Sequence, residues 1–396
     1  ISDADPSCRQ MAGILIAKLF ERANPEQLTS FSALMDKWLA NDTKPKIQVA
    51  ALQCWRTHLR TTVVPPGQRD KVRAKLTSFL ISKDVVVSPD LLQAILDTLF
   101  VLVEVASTTA FAAASAPIWE SVRQCLTATS MDVQSSAASL IGGYFSHLAS
   151  SSAQDGSGLA MLPLTGSEGL KLDAVGMRHL CLTSLQSLMA STEHTKADLT
   201  AQIVRNLAFL GRCFAANGMR WQERAGLEDE RNVPEDAVDE QLDPSALAHL
   251  LGQLSYILRQ ENLPVPARAA ALQCQTALVN QLPSVPNIQL VLRPLYVLSE
   301  PSLTQSATAQ HRDLVDKARE LLDLVQKKVG SEAYIAALSK ARRAVQTKTE
   351  ERRRKRKIEA VAAPERWAQA KKRKHELQKA TKKASNVEMR GRRRGW

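Results

Sequence analysis

The sequence contains few aromatic residues and shows no convincing stretch of alternating polar and apolar residues. Phe, Trp and Tyr account for 5% of its 396 residues, whereas Ala, Leu and Ser are abundant. Aromatic residues favour β-strands, and Ala and Leu favour α-helices. Because 44% of the residues are hydrophobic, the chain can bury a large core. The composition therefore predicts an all-α protein.

The sequence also lacks an apolar run that could cross a membrane. The longest apolar stretch, residues 91–106, is interrupted by Gln93, Asp97 and Glu104, and a membrane-spanning helix needs about 20 apolar residues. Residues 1–5 do not resemble a signal peptide. We therefore expect no contact with a membrane. Because the first residue is Ile rather than Met, we also expect the chain to be a segment of a longer protein.

Sequence motifs for catalysis and for metal binding are missing. The six cysteines lie far apart among apolar residues, which is typical of buried free thiols in an intracellular protein. The seven histidines form neither a His-Glu-x-x-His motif nor a zinc-type spacing with cysteine. Gly156 and Gly158 are not followed by the Lys-Ser/Thr pair of a phosphate-binding loop. The sequence thus predicts no enzyme activity, no cofactor, no metal and no small-molecule substrate.

Positive charge is concentrated at one end of the chain. The net charge is +12, but residues 340–396 hold 22 basic and 6 acidic residues, whereas residues 1–339 hold 30 basic and 34 acidic residues. The chain therefore combines a slightly acidic body with a strongly basic tail. A proposed function has to explain this uneven distribution of charge.

A short pattern recurs six times in the body: an aliphatic or small residue, then Gln or Arg, and three positions later Ala or Leu. The copies begin at Ile47, Leu92, Val133, Val204, Ala267 and Ala318. The two longest spacings contain predicted loops near residues 151–171 and 222–243, of which the second is strongly acidic. The pentapeptide at residues 50–54 also recurs unchanged at residues 270–274.

Without the loops, the spacing approaches the 40 to 47 residues or so of a pair of helices in a HEAT or armadillo repeat. Small residues at helical spacing let neighbouring repeats pack closely. We therefore predict a HEAT/armadillo-like helical repeat solenoid over residues 1–330, with a nonrepetitive helical domain as the alternative. Prolines such as Pro25, Pro45 and Pro89 lie at breaks in the apolar pattern and predict helix boundaries.

From residue 331 to residue 396 we predict a basic helical tail that binds RNA. Clustered cations release condensed counterions from a phosphate backbone, and arginine can bridge phosphates with two hydrogen bonds. The predicted RNA-binding residues are Arg352, Arg353, Arg354, Lys355, Arg356, Lys357, Lys371, Lys372, Arg373, Lys374, Lys379, Lys382, Lys383, Arg392, Arg393 and Arg394. A nuclear localisation signal is a second interpretation that is compatible with the first, and a solvated charged tail is a third.

The tail resembles the C-terminus of one protein family. The similarity consists of a run of cations followed by small, proline and basic residues at matching positions. These residues are Arg353–Lys357, Ala360, Val361, Pro364, Ala368, Lys371–His375 and Glu388. The family is that of the very large HEAT-repeat proteins associated with the U-three small nucleolar RNA, which are components of the small-subunit processome.

This resemblance implies a noncatalytic scaffold for the early precursor of the small ribosomal subunit, located in the nucleolus of the nucleus. Its implied partners are pre-ribosomal RNA, small nucleolar RNA, ribosome assembly factors and ribosomal proteins. The chain would be the C-terminal segment of a longer solenoid. The alternative is a helical-repeat adaptor or transport protein whose tail is a nuclear localisation signal. A helical-repeat glycosylase is less favoured, because such a site requires a basic face and the body is slightly acidic.

Overall fold

The protein is described here by a computed structural model. It describes residues 12, 15–16, 18–40, 43–81, 88–105, 118–154, 174–192, 194–216, 218, 245–282, 287–299, 309–362, 364–365, 368–369, 372–373, 375–376 and 379. Helices α1 to α13 are Pro25–Trp38, Pro45–Thr61, Pro66–Ile81, Pro89–Val105, Ile118–Cys125, Met131–Gln154, Ala174–Met189, Ala197–Ala216, Ala246–Arg259, Val265–Gln281, Ile288–Ser299, Ala309–Val329 and Ser331–Ala362. No β-strand occurs among the described residues.

Helices α1 to α12 form six consecutive pairs, and the members of each pair contact each other. The even-numbered helices make one layer, in which each helix contacts the next from α2 to α12. The odd-numbered helices make a second layer, with successive contacts from α3 to α11. Each pair therefore buries its apolar faces against neighbouring pairs, as in a solenoid. The predicted all-α, HEAT-like helical repeat architecture is confirmed.

The recurring sequence pattern marks the even-numbered layer. All six copies lie on its helices, from α2 to α12. The Ala or Leu that closes the pattern is buried in five copies, and in four of them no surface is exposed: Ala51, Leu96, Ala137 and Ala271. Because alanine occupies little space, the alanine positions let neighbouring even-numbered helices approach closely.

The polar residue of the pattern joins the two helices of a pair. Gln48 Nε2 donates a hydrogen bond of 2.8 Å to the carbonyl of Ala40, just after α1. Gln134 Nε2 donates to Ala128, just after α5, at 2.6 Å, and Arg268 Nε donates to Leu258, at the end of α9, at 3.1 Å. The last carbonyls of a helix have no partner within that helix. In these three pairs the polar residue therefore links its helix to the last turn of the preceding helix or to the residues just after it.

Prolines begin the first helices, as the sequence predicted. Pro25, Pro45, Pro66 and Pro89 are the first residues of α1 to α4, where the missing N–H of proline has no cost. Before α4, Ser88 Oγ accepts a hydrogen bond from the backbone N–H of Leu91 at 3.3 Å.

One helix extends further than the sequence indicated. Helix α6 continues to Gln154, so the first residues of the predicted loop near 151–171 are helical. The rest of that segment, residues 155–171, and the predicted loop at residues 222–243 lie outside the described residues.

The cysteines in the described part of the chain are buried and free, as predicted, while Cys8 lies outside it. Burial raises the pKa of Cys54 and Cys125 to about 11 and that of Cys213 and Cys274 to about 12. These thiols are therefore protonated at neutral pH and act as small apolar core residues.

The chain divides into two compact units, Ile1–Tyr334 and Ile335–Trp396. The described part of the first unit contains the six helix pairs and the buried core. The second unit contains most of α13 and further helical residues as far as residue 379. None of the helices in the described part of the chain combines the length and the apolar character that a bilayer crossing needs.

Candidate nucleic-acid interface

Helix α13 is a long helix in which most residues are strong helix formers. It follows α12 after a single residue, Gly330, whose φ of 89° requires glycine. Its 32 residues contain no Gly and no Pro, so it extends over about 48 Å at 1.5 Å per residue. Thr347 and Thr349 donate their hydroxyl hydrogens to the carbonyls of Arg343 and Val345, one turn earlier.

The basic part of α13 is exposed on all its described sides. Beyond Val345, every described side chain is exposed except that of Ala360, which is half-buried. Exposed apolar residues are few: Ile358 is 59% and Val361 is 84% exposed. This part of the helix therefore has no apolar stripe of the kind that anchors a helix to a protein core or to a membrane.

The exposed cations of α13 lack ion pairs with described residues. The side chains of Arg353, Arg354, Lys355 and Lys357 form no hydrogen bond and no ion pair with any part of the chain that the structure describes. In the repeat unit, by contrast, cations such as Arg56 lie beside carboxylates, here Asp97 at 2.7 Å. The side chains of these four cations thus have no ion pair in the described part of the chain and face solvent.

The geometry of a helix spreads this charge around its axis. Successive residues are rotated by about 100°, so Arg353, Arg354 and Lys355 point in three different directions, and Lys357 lies close to Arg353. A run of six cations has one charge per about 1.5 Å of axis, which is similar to the charge density of a nucleic-acid duplex. The helix can therefore contact phosphates on more than one side.

The sixteen residues predicted to bind RNA fall into three groups. Seven have described side chains, and all of these are exposed: Arg353, Arg354, Lys355, Lys357, Lys372, Arg373 and Lys379. Arg352 and Arg356 lie within α13, but their side chains are not among those described. The remaining seven lie outside the described residues: Lys371, Lys374, Lys382, Lys383, Arg392, Arg393 and Arg394.

The sequence-based prediction omitted three exposed cations of the same helix, Lys340, Arg342 and Arg343. They lie about two and a half turns or more before the basic run. Their signal in the sequence was weak, because Ala341 and Val345 beside them belong to the apolar stripe on which the helix starts.

A second feature that sequence reasoning missed lies in the repeat unit. A cavity of about 500 Å³ opens between α4, α6, α8 and α10, and Arg205, Phe209 and Arg212 of α8 line it. Their spacing of four and three residues places them on one face of that helix. This spacing was the feature of the sequence from which the shared position of the three residues could have been predicted.

The repeat unit shows no metal-binding cluster in its described part. No group of three or more His, Cys, Asp or Glu side chains there could hold a metal ion. Burial lowers the pKa of His58 below its usual value. Burial, together with the nearby charge of Arg178, lowers the pKa of His249 to about 4. Both imidazoles are therefore neutral at pH 7.

Comparison with known proteins gives one family match. The family described as "Small subunit processome component 20 homolog, C-terminal" matches residues 75–388. No curated protein matches the chain.

Solved structures of similar fold include several of Kap121p. A Kap121p mutant and Kap121p bound to Nup53p each share 14% identity with this chain at a TM-score of 0.52. Kap121p bound to the extreme C-terminus of the protein phosphatase Cdc14p shares 17% identity at a TM-score of 0.51. Each similarity covers 85% of this chain and 29–30% of the other. At such low identity, the likeness concerns the helical-repeat fold alone.

Proposed function

The chain belongs to the family of small subunit processome component 20 homologues, to their C-terminal part, and from this premise we propose that it is a noncatalytic scaffold in small ribosomal subunit biogenesis. Its basic tail, residues 331–396, binds pre-ribosomal RNA and small nucleolar RNA. Its helical repeats, residues 1–330, bind assembly factors and ribosomal proteins. It acts in the nucleolus.

Four exposed cations of α13 are the observation that supports RNA binding. Arg353, Arg354, Lys355 and Lys357 are exposed and have no ion pair within the described part of the chain. A phosphate contact therefore does not require breaking an existing pair, and it releases the counterions condensed on the RNA. The two arginines can each donate two parallel hydrogen bonds to one phosphate.

The two-layer architecture supports the scaffold role. Each helix pair contacts mainly its neighbours, so every additional pair adds surface without altering the rest of the array. A surface of this kind can hold several protein partners side by side. Family membership supports partners from a large ribonucleoprotein assembly.

The test compares RNA binding by the full chain and by a fourfold variant, Arg353→Gln, Arg354→Gln, Lys355→Gln and Lys357→Gln. Binding to a structured fragment of small-subunit pre-rRNA is measured over a range of salt concentrations. We expect weaker binding and a salt slope that falls by about 3, since four contacts to RNA phosphates contribute about 0.7 to 0.9 each. An unchanged slope would show that the basic run does not bind RNA.

A matched control removes the same charge from the repeat unit. Arg22, Lys37, Lys44 and Lys46 are exposed and form no ion pair with a described residue, so their replacement by Gln should leave the slope nearly unchanged. Crosslinking of the tail in cells then separates the proposal from the adaptor alternative. RNA adducts support a scaffold, whereas adducts with an import receptor alone support a localisation signal.

A further inference from the structure

The cavity in the even-numbered layer has a lining that combines cations and aromatic rings. It measures about 500 Å³, which is within the usual size range of a ligand pocket. Arg205 and Arg212 come from α8, and three rings, Phe100, Phe145 and Phe209, come from α4, α6 and α8. None of the described residues that line it is Asp or Glu.

A chain of hydrogen bonds connects the exposed Arg205 with the buried Asn206. Asn206, which is 3% exposed, donates from Nδ2 to the carbonyl of Ala138 on α6 at 2.9 Å. Its Oδ1 accepts from Gln202 Nε2 at 2.9 Å, and Gln202 Oε1 accepts from Arg205 Nε at 3.1 Å and from Nη2 at 2.6 Å. The guanidinium is thus oriented by a neutral amide.

This arrangement leaves both arginines able to bind an anion. Gln202 uses two of the five N–H donors of Arg205 and compensates none of its charge. The side chain of Arg212, three residues beyond Phe209, forms no hydrogen bond and no ion pair with a described residue. A fixed arginine loses little side-chain freedom when it binds phosphate, so its contribution to affinity is retained.

An aromatic ring lies between the two arginines. Phe209 is half-buried and stacks on the buried Phe145, with ring centroids 4.6 Å apart and an interplanar angle of 16°. Phe100, also half-buried, lines the cavity from α4. Alternation of cations and rings along a groove is typical of proteins that bind single-stranded nucleic acid, where rings stack on bases and arginines bind phosphates.

The two glycines of α6 make the close packing at this site possible. A Cβ on Gly142 would lie 1.9 Å from Gln202 Nε2, and a Cβ on Gly143 would lie 2.6 Å from the ring of Phe100. Neither residue could therefore carry a side chain without displacing a group that lines the cavity.

We propose that this cavity is a second RNA site, which binds one or two nucleotides of a single strand through Arg205, Arg212 and the half-buried rings. The proposal is independent of the role of the basic tail, because every residue that carries it lies in the repeat unit. An acidic protein segment could also bind the arginines, but it would not use the rings for stacking. The rings therefore favour RNA.

The test uses the 396-residue chain in which the sixteen predicted tail cations and the three exposed cations Lys340, Arg342 and Arg343 are replaced by Gln, so that binding to these positions does not mask the cavity. Pentauridylate is the probe, and its affinity is measured by fluorescence anisotropy. Arg205→Gln with Arg212→Gln should weaken binding at least about tenfold, the effect expected for losing charged hydrogen bonds. Phe209→Leu should weaken binding about fivefold or more through lost stacking.

Two controls make the outcome decisive. Arg22→Gln with Lys37→Gln removes the same charge from exposed positions away from the cavity and should leave the affinity unchanged. Crosslinking of 4-thiouridine-labelled pentauridylate to the unsubstituted chain should give adducts on a peptide that contains residues 202–212. This measurement does not depend on the folding of any variant.

The proposal is overturned if the tail-neutralised chain does not bind pentauridylate or if the arginine variant retains full affinity. It is also overturned if decaglutamate displaces the probe at equal concentration while Phe209→Leu has no effect, since the site would then be one for acidic protein segments. Failure here with a normal salt slope for the tail would leave the proposed scaffold function intact.

Discussion

Asp97 accepts hydrogen bonds from two neighbouring repeats at once. Arg56 of α2 donates to one carboxylate oxygen at 2.7 Å, and Ser136 of α6 donates to the other at 2.6 Å. Asp97 itself lies on α4, so a single carboxylate connects three successive helices of the even-numbered layer. The side chains of the ion pair are only 28% and 29% exposed, which reduces competition from water.

Replacing this carboxylate should weaken the contact between repeats. We expect Asp97→Ala to lower the free energy of unfolding by about 1 to 3 kcal/mol, because Arg56 and Ser136 both lose a partly buried partner. Urea unfolding followed by circular dichroism measures the change. Asp313→Ala, which breaks the exposed pair with Lys317, should cost about 0.5 kcal/mol or less. Equal effects of the two variants would contradict the connecting role of Asp97.

Two glycines within helices should respond to alanine in opposite directions. Alanine at position 142 gains helix propensity, but its Cβ meets Gln202 Nε2 at 1.9 Å, so we expect a loss of about 1 to 3 kcal/mol. Alanine at position 252 meets nothing within 4 Å and should stabilise the chain by about 0.5 to 1 kcal/mol. Thermal unfolding of both variants measures the direction of each change. Stabilisation by Gly142→Ala would show that Gln202 moves aside at little cost in free energy.

The repeat architecture was predictable because its signal is local. Each copy of the pattern is completed within five residues of one helix, and the small residues of its last position mark the buried face. The link from Gln48 to Ala40 also spans only eight residues. Contacts such as that of Asn206 with Ala138 join positions 68 residues apart, and their register depends on how whole repeats stack. The cavity was therefore not predictable from the sequence, although its arginines stand at helical spacing.

The net charge of the body, which is slightly acidic, also gave no indication of the two cations that line the cavity. Nine acidic residues lie in the segment from residue 223 to residue 243, outside the described part of the chain. Arg205 and Arg212, by contrast, face a lining without carboxylates. A net charge summed over 339 residues cannot show such local separation, whereas the tail was visible because its cations are consecutive.

The half-buried histidine of α9 should make stability depend on pH. The pKa of His249 is about 4 in the folded chain, lowered mainly by burial, against an ordinary value of 6.5. Below pH 6.5 the unfolded chain binds a proton that the folded chain does not, so stability falls as the pH drops from about 6.5 to about 4. The loss should reach about 3 kcal/mol near pH 4, since one pKa unit corresponds to about 1.4 kcal/mol. His249→Gln should reduce this pH dependence, whereas an identical pH profile would indicate an accessible imidazole.

The basic run of α13 should be cleaved by trypsin much faster than arginines of the packed layers. Proteolysis of a helix requires local unfolding, and a helix without tertiary contacts unfolds at little cost in free energy. The described side chains of residues 353–357 are exposed, whereas Arg123 in α5 is hydrogen-bonded to Thr183 of α7 at 2.9 Å. A difference of about 3 kcal/mol in local stability would make cleavage after Arg353 or Arg354 roughly 100-fold faster than after Arg123. Mass spectrometry of timed digests identifies both sites.

If α13 binds RNA, pre-rRNA should slow the cleavage after Arg353 or Arg354 and leave the cleavage after Arg123 unchanged, since RNA covers only the first site. Equal rates without RNA would mean that α13 is as well protected as the repeats, and its cations would then need another explanation.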